Sequence, residues 1–289
     1  MRPETAAITL RRDLMIVANE FDAEAAGKKF IASLAAPVAP VPEAAATYPV
    51  INKECFKRPA TSTRRTEGGA YNRIQGTFAT ASYECEENGL EDILDDRRAK
   101  RFASWLDFER EATRLLRYQM LMAWEKRVKA AYVALGLTNT NVGTAWTTVA
   151  TATPLGDIQT GVETLEDKCG CIGEDLSLII PRADFREFLA VTQVVDKSKY
   201  TYPGVQPANL AADQIAKMLG IKQVLLARGS YDGSEEGITA ESATQIWTAG
   251  VMYLALLADP GSGLDRPSAM RTIRWTGDGV AADGPIVER

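Results

Sequence analysis

The sequence predicts a mixed α+β protein, and three stretches carry that prediction. Over residues 104–135, apolar side chains recur at spacings of three and four with no Gly or Pro until Gly136, the period of a long amphipathic helix. Ala79, Ala81, Tyr83 and Cys85 alternate with Thr80, Ser82, Glu84 and Glu86, the period of a strand with one polar face. Further on, the apolar runs 176–180 and 221–227 stand between helical patterns, as buried strands do.

Composition sets outer bounds. The chain has 289 residues, 46% hydrophobic and 25% charged, enough for a sizeable core in one large domain or two modest ones. The longest apolar candidate, residues 250–258, is about half of what a membrane span needs and reads as a buried strand or helix. No secretory h-region follows Met1 to Thr5, so a cytoplasmic start is expected, with no membrane partner. A net charge of −5 argues against a sequence-general DNA-binding module.

The four cysteines, Cys55, Cys85, Cys169 and Cys171, read as free thiols. Cys169-Gly170-Cys171 supplies half of a zinc site; the other thiols lie far upstream and the chain has no histidine, so no metal is expected. The missing histidine also removes Ser-His-Asp, Cys-His and HExxH chemistry. Neither GxxxxGK[ST] nor GxGxxG occurs, so no cofactor is expected. Carboxylate-pair chemistry stays open among 38 acids, but no spacing singles out a pair, and no catalytic residue is assigned.

Taken in order, residues 8–26 predict a short amphipathic helix carrying Ile8, Leu10, Leu14, Ile16, Val17 and Phe21. Pro37, Pro40 and Pro42 then impose an extended path on residues 30–42, read as an arm outside the core. Residues 48–56 are a plausible antiparallel partner for the strand at 79–86. Between them lies a basic, glycine-bearing tip with Lys57, Arg58, Arg64, Arg65 and Arg73. A long two-stranded ribbon is not stable alone. It packs either on a neighbouring subunit or back on its own domain.

An acidic stretch follows, with Glu84, Glu86, Glu87, Glu91, Asp92, Asp95 and Asp96. The long helix begins after it, Ser104 and Asp107 having the spacing of a capping box and Gly136 supplying a stop. Some thirty residues of helix span roughly 45 Å. Glu125 and Lys129 have the i, i+4 spacing of a surface ion pair. Arg110, Arg114 and Arg117 form a positive strip, read either as a solvated face or as one turned to packaged DNA or a neighbour's acids. In the second half the pattern predicts a helix from Pro154 to about Lys168, a strand at 176–180, and a helix over 181–191 with Phe185, Phe188 and Leu189 on one face. It continues with a turn-rich loop at 197–207, a helix at 209–219 ended by Gly220, a strand at 221–227, a polar loop at 228–242, and closing elements at 245–258 and 271–275.

These pieces, in this order, resemble the major capsid proteins of tailed bacteriophages, which share the Hong Kong 97-like fold. Phe30-Ile31-Ala32 through Ala36-Pro37-Val38-Ala39-Pro40-Val41 is similar to the family's N-terminal arm leading into its extended loop. Tyr83-Glu84-Cys85 followed by Asn88-Gly89-Leu90-Glu91-Asp92-Ile93 resembles the loop's return strand. Asp107 with Glu109, then Glu125-Lys126-Arg127-Val128, is similar to the two ends of the spine helix. Trp146 and Pro154-Leu155-Gly156-Asp157-Ile158 resemble the start of the peripheral domain, and Ile246-Trp247 with Thr272-Ile273-Arg274-Trp275 its closing strands. The likeness covers nearly the whole chain. It departs where the family often has Gly-x-x-Pro-Asn and this chain has Gly173-Glu174-Asp175, and where Thr248 follows Trp247 in place of glycine.

The resemblance implies an N-terminal arm at 1–46, an extended loop at 47–96, and a peripheral domain at 97–195 that includes the spine helix. An axial domain at about 196–250 and a return to the peripheral domain at 251–289 complete the expected layout. It further implies a non-enzymatic shell subunit forming pentamers and hexamers of an icosahedral head around double-stranded DNA. A separate scaffolding protein and a portal protein are the implied partners, a decoration protein being left open, with assembly in the host cytoplasm and residence in the virion. Lys53 and Lys57 lie in or beside the loop, but no asparagine is marked as their partner, so no crosslink is expected. An encapsulin-like compartment shares the fold and is the alternative; a cytosolic carboxylate enzyme is the reading from another class. The inter-subunit contacts expected are Lys57, Arg58, Arg64, Arg65 and Arg73 of one copy against Glu84, Glu86, Glu87, Glu91 and Asp92 of the next.

Overall fold

The computed structural model describes residues 11–24, 27–51, 63–65, 67–71, 78–102, 107–137, 139–234, 242–264 and 266–277. Its organising element is a three-stranded sheet of β4 (Leu176–Pro181), β5 (Gln223–Ala227) and β8 (Tyr253–Leu256). Strand β4 lies in the middle, parallel to β5 and antiparallel to β8. All six β4 residues are buried, because both faces of the sheet are covered. The two-residue period divides them: Leu176, Leu178 and Ile180 enter one core and Ile179 the other.

The first core is filled by α5 (Pro154–Cys169), α6 (Arg182–Ala190), α7 (Thr192–Thr201) and α8 (Ala212–Leu219). Their buried side chains recur at helical spacing: Ile158 and Val162, Phe185, Phe188 and Leu189, and Ile215 with Met218. Gly170 and Gly220 end α5 and α8 with positive φ of 68° and 70°, where a Cβ is unfavourable. The second core lies under α4 (Phe108–Ala134), the long helix. Its 27 residues extend about 40 Å. Leu121, Glu125, Val128 and Tyr132 form the buried stripe.

The arm departs from its sequence reading. Phe30, Ile31, Ala32, Ala35, Ala36, Ala39 and Val41 are buried, so this segment is part of the second core. It follows a short turn, α2 (Ala32–Ala35), and then β1 (Val38–Val41), which pairs in parallel with β9 (Thr272–Trp275). Small alanines let the backbone approach α4 closely, and Tyr132 Oη donates to Ala35 O at 2.8 Å. The prolines do impose extension; they do not keep the segment out of the core.

Three further readings change. Asp107 is the N-cap of α4, its carboxylate accepting from Arg110 N at 3.3 Å, rather than the third residue of a capping box; Ser104 lies outside the described residues. The loop expected at 197–207 is helical as far as Thr201, because Val194 and Ser198 share one buried face of α7. The polar loop at 228–242 contains β6 (Ser230–Asp232), paired with β7 (Ala243–Gln245).

Candidate functional site

The ribbon forms as β2 (Ala45–Ile51) against β3 (Phe78–Glu84), antiparallel, its first strand beginning three residues before Tyr48; residues 52–56 lie outside the described residues. Register pairs Ala46 with Tyr83, Tyr48 with Ala81 and Val50 with Ala79, so these six share one apolar face. Thr47, Pro49, Thr80, Ser82 and Glu84 take the other. The Tyr48 and Tyr83 rings sit 6.3 Å apart on the apolar side. None of the ribbon residues with described side chains is buried, and beyond each other its strands make only marginal contact with other helices or strands. The chain therefore builds an amphipathic ribbon and buries neither of its faces, its apolar side being left half-exposed.

At the tip, Arg64 and Arg65 are exposed. Arg65 Nε donates to Gly69 O at 2.6 Å, and its guanidinium stacks 4.3 Å over the Tyr71 ring. Lys57, Arg58 and Arg73 lie outside the described residues. Glu84, Glu86, Glu87, Glu91 and Asp92 are all exposed, and none forms an ion pair among the described residues. Past the ribbon, Asn88 accepts a hydrogen bond from Arg127 of α4.

The arginine strip finds its partners within the chain. Helix α1 (Arg12–Ala23) packs along the first half of α4, burying Val17, Ala18 and Phe21. Arg110 lies 3.7 Å from Glu20 and Arg114 lies 2.8 Å from Glu24, while Arg117 makes a two-nitrogen fork on Asp22. Arg11 reaches Glu109 at 2.8 Å. The acids of α1 were visible in the sequence, but nothing local aligned them with this strip. Changing Arg117 to alanine is expected to weaken α1 docking by about 1 kcal/mol, the pair being part exposed, and to raise amide exchange across α1 first.

The least expected side chain is Glu125. The sequence spacing reads as a surface pair with Lys129; the structure buries Glu125 completely. Its carboxylate accepts from Ile31 N at 2.7 Å and from Trp247 Nε1 at 2.8 Å. One side chain thus holds together the arm, the long helix and the segment before β8. Burial pushes its pKa up from 4.5 to about 7, while the bonds from Trp247, Ile31 and Ala32 and the charge of Lys29 oppose that rise. Trp247 also packs edge-on against Tyr132 and Tyr253, at 5.8 Å from each. Gly229 permits the approach: a Cβ there would stand 2.7 Å from Glu125 Oε1 and 3.0 Å from Ile246 Cδ1. Gly229→Ala is expected to cost about 1–3 kcal/mol, read by urea unfolding.

Among the described residues, no three His, Cys, Asp or Glu side chains come together as a metal site, and no helix is long and apolar enough to cross a membrane. Cys85, Cys169 and Cys171 are free thiols.

No family model matches the sequence, and no curated protein matches it. Solved structures do. The chain has the fold of a phage-related protein from Bordetella bronchiseptica RB50, at a TM-score of 0.65 and 18% identity over 94% of this chain and 85% of that one. The capsid structure of the cyanophage P-SCSP1u is a more distant match, at a TM-score of 0.47 and 12% identity over 77% of this chain and 71% of that one.

Proposed function

We propose that this chain is the major capsid protein of a tailed phage, a structural subunit that assembles with copies of itself. The observation that carries the reading is the ribbon: an apolar face on two strands, half-exposed and outside the chain's own core. A fold shared with a phage-related protein over nearly the whole chain supports it, as does the order of arm, loop, long helix and closing strands. In this reading β2 and β3 lie across an adjacent subunit within pentamers and hexamers, enclosing double-stranded DNA. A separate scaffolding protein and a portal protein assist in the bacterial cytoplasm, and the product is the virion head. A specific contact buries roughly 1,200–2,000 Å², within the reach of such a ribbon.

The basic tip meets acids of the neighbour, Glu84, Glu86 and Glu87 among them. Reversing Arg64 and Arg65 to glutamate is expected to lower the yield of intact shells, chiefly by disturbing partner register. Wild-type yields would count against that contact. The reading as a whole is tested by negative-stain microscopy of the purified protein. Closed shells are expected, and a solitary monomer at high concentration would overturn it. Nucleic acid inside particles from an infected host distinguishes a phage head from an encapsulin-like compartment, which would hold protein cargo.

A further inference from the structure

The stretch between the ribbon and α3 (Asp96–Phe102) carries an unused combination of side chains. Leu90, Ile93 and Leu94 are exposed, Ile93 to 91%, and they are interleaved with Glu91, Asp92 and Asp95. The backbone is neither helix nor strand from 85 to 95. Single exposed apolar residues are ordinary, but three within five positions among carboxylates form an acidic, apolar segment presented as a unit.

Its complement lies elsewhere on the same chain. Beside the C-terminal half of α4 runs a groove of about 380 Å³ lined by Lys126, Lys129, Ala130, Val133, Tyr231 and Ile246. Lys126 Nζ stands 3.4 Å from the centre of the Tyr231 ring. Neither lysine pairs with a carboxylate among the described residues. The nearby acids are committed: Glu125 is turned inward to Ile31 and Trp247, and Asp232 accepts from Ser234 and Ser242. The groove therefore joins apolar surface to two positive charges that no carboxylate among the described residues balances. The chain's own acidic segment does not fill it, since Ile93 stands open to solvent.

We infer that residues 90–95 of one copy dock in the Lys126–Lys129 groove of a second copy. Ile93 contacts Ala130, Val133 and Ile246, and Glu91, Asp92 and Asp95 face the lysines. Two different patches meeting in this way make a heterologous contact, which continues from copy to copy around a ring. The inference rests on the self-assembly reading above and adds a second contact to it. Glu84, Glu86 and Glu87, further upstream, remain for the basic tip.

The test places the photocrosslinker p-benzoylphenylalanine at position 93 of the full chain, assembled from a mixture of isotopically heavy and light subunits. Crosslinks joining position 93 to residues 126–133 of a different subunit are expected. Lys126→Glu with Lys129→Glu should reduce that product by roughly tenfold, and adding Glu91→Lys with Asp92→Lys should restore it. Intact particles whose crosslinks fall within one subunit, or on other surfaces, would overturn this inference and leave the capsid reading standing. A wild-type chain that stays monomeric would overturn both.

Discussion

Replacing Glu125 with alanine is expected to destabilise the folded chain by about 3 kcal/mol, measured by urea unfolding with Trp247 among the reporting fluorophores. Two costs combine. The substitution leaves Ile31 N and Trp247 Nε1 without their acceptor, and it opens a cavity at the junction of arm, helix and sheet. The same residue gives stability a pH dependence of unusual sign. In the folded chain the carboxyl group titrates near 7, against 4.5 in its ordinary state, so the folded form holds the proton more tightly. Its contribution is fullest below about 4.5 and declines as pH rises toward 7, by roughly 3 kcal/mol in all. Glu125→Gln should flatten this component of the profile. At pH 5 the folded wild type holds Glu125 as a neutral carboxyl, the state a glutamine amide most resembles, so the two stabilities are expected to lie closest there. Parallel profiles for wild type and the glutamine variant would show that Glu125 does not titrate in this range.

The second large effect concerns assembly. On the proposed capsid reading, changing Tyr48 and Tyr83 together to aspartate is expected to abolish shell formation while altering the stability of the free chain by only about 1 kcal/mol. Both rings are half-buried on the ribbon's apolar face, packed on each other with Tyr83 Oη donating to Glu43 O, so the free chain loses only these local contacts. Across an interface, aromatic anchors of this kind are each worth about 2 kcal/mol or more, and the cost recurs at every subunit contact. Sizing chromatography and microscopy would read the first outcome and urea unfolding the second. Variant shells in normal yield would show that the ribbon's apolar face is not an assembly surface.

Local periodicity made much of this architecture readable. Helix α5, strand β4, helix α6 and the glycine stops at 136 and 220 follow from spacing and turn chemistry alone. The ribbon was legible for the same reason, since a period of two survives even where no residue is buried. What stayed hidden depends on distant partners. The prolines point to an arm outside the core and alanine carries little apolar signal, yet Ala32, Ala35, Ala36 and Ala39 are all buried, Ala39 in register with Ile273 of β9. Glu125 resembled a solvent-facing acid because its donors belong to residues 31 and 247. Arg110, Arg114 and Arg117 resembled a free strip because α1 and its acids lie some ninety residues upstream.

The parallel pairing of β1 with β9 joins residues more than two hundred positions apart. A ribosome therefore releases the arm long before its partner strand exists. Until residues 272–275 emerge, Val38 and Val41 have no ladder to join, and pairing them closes a long loop. For that interval the nascent chain exposes an apolar segment, and it is then, more than after completion, that a chaperone would have a hydrophobic strand to hold.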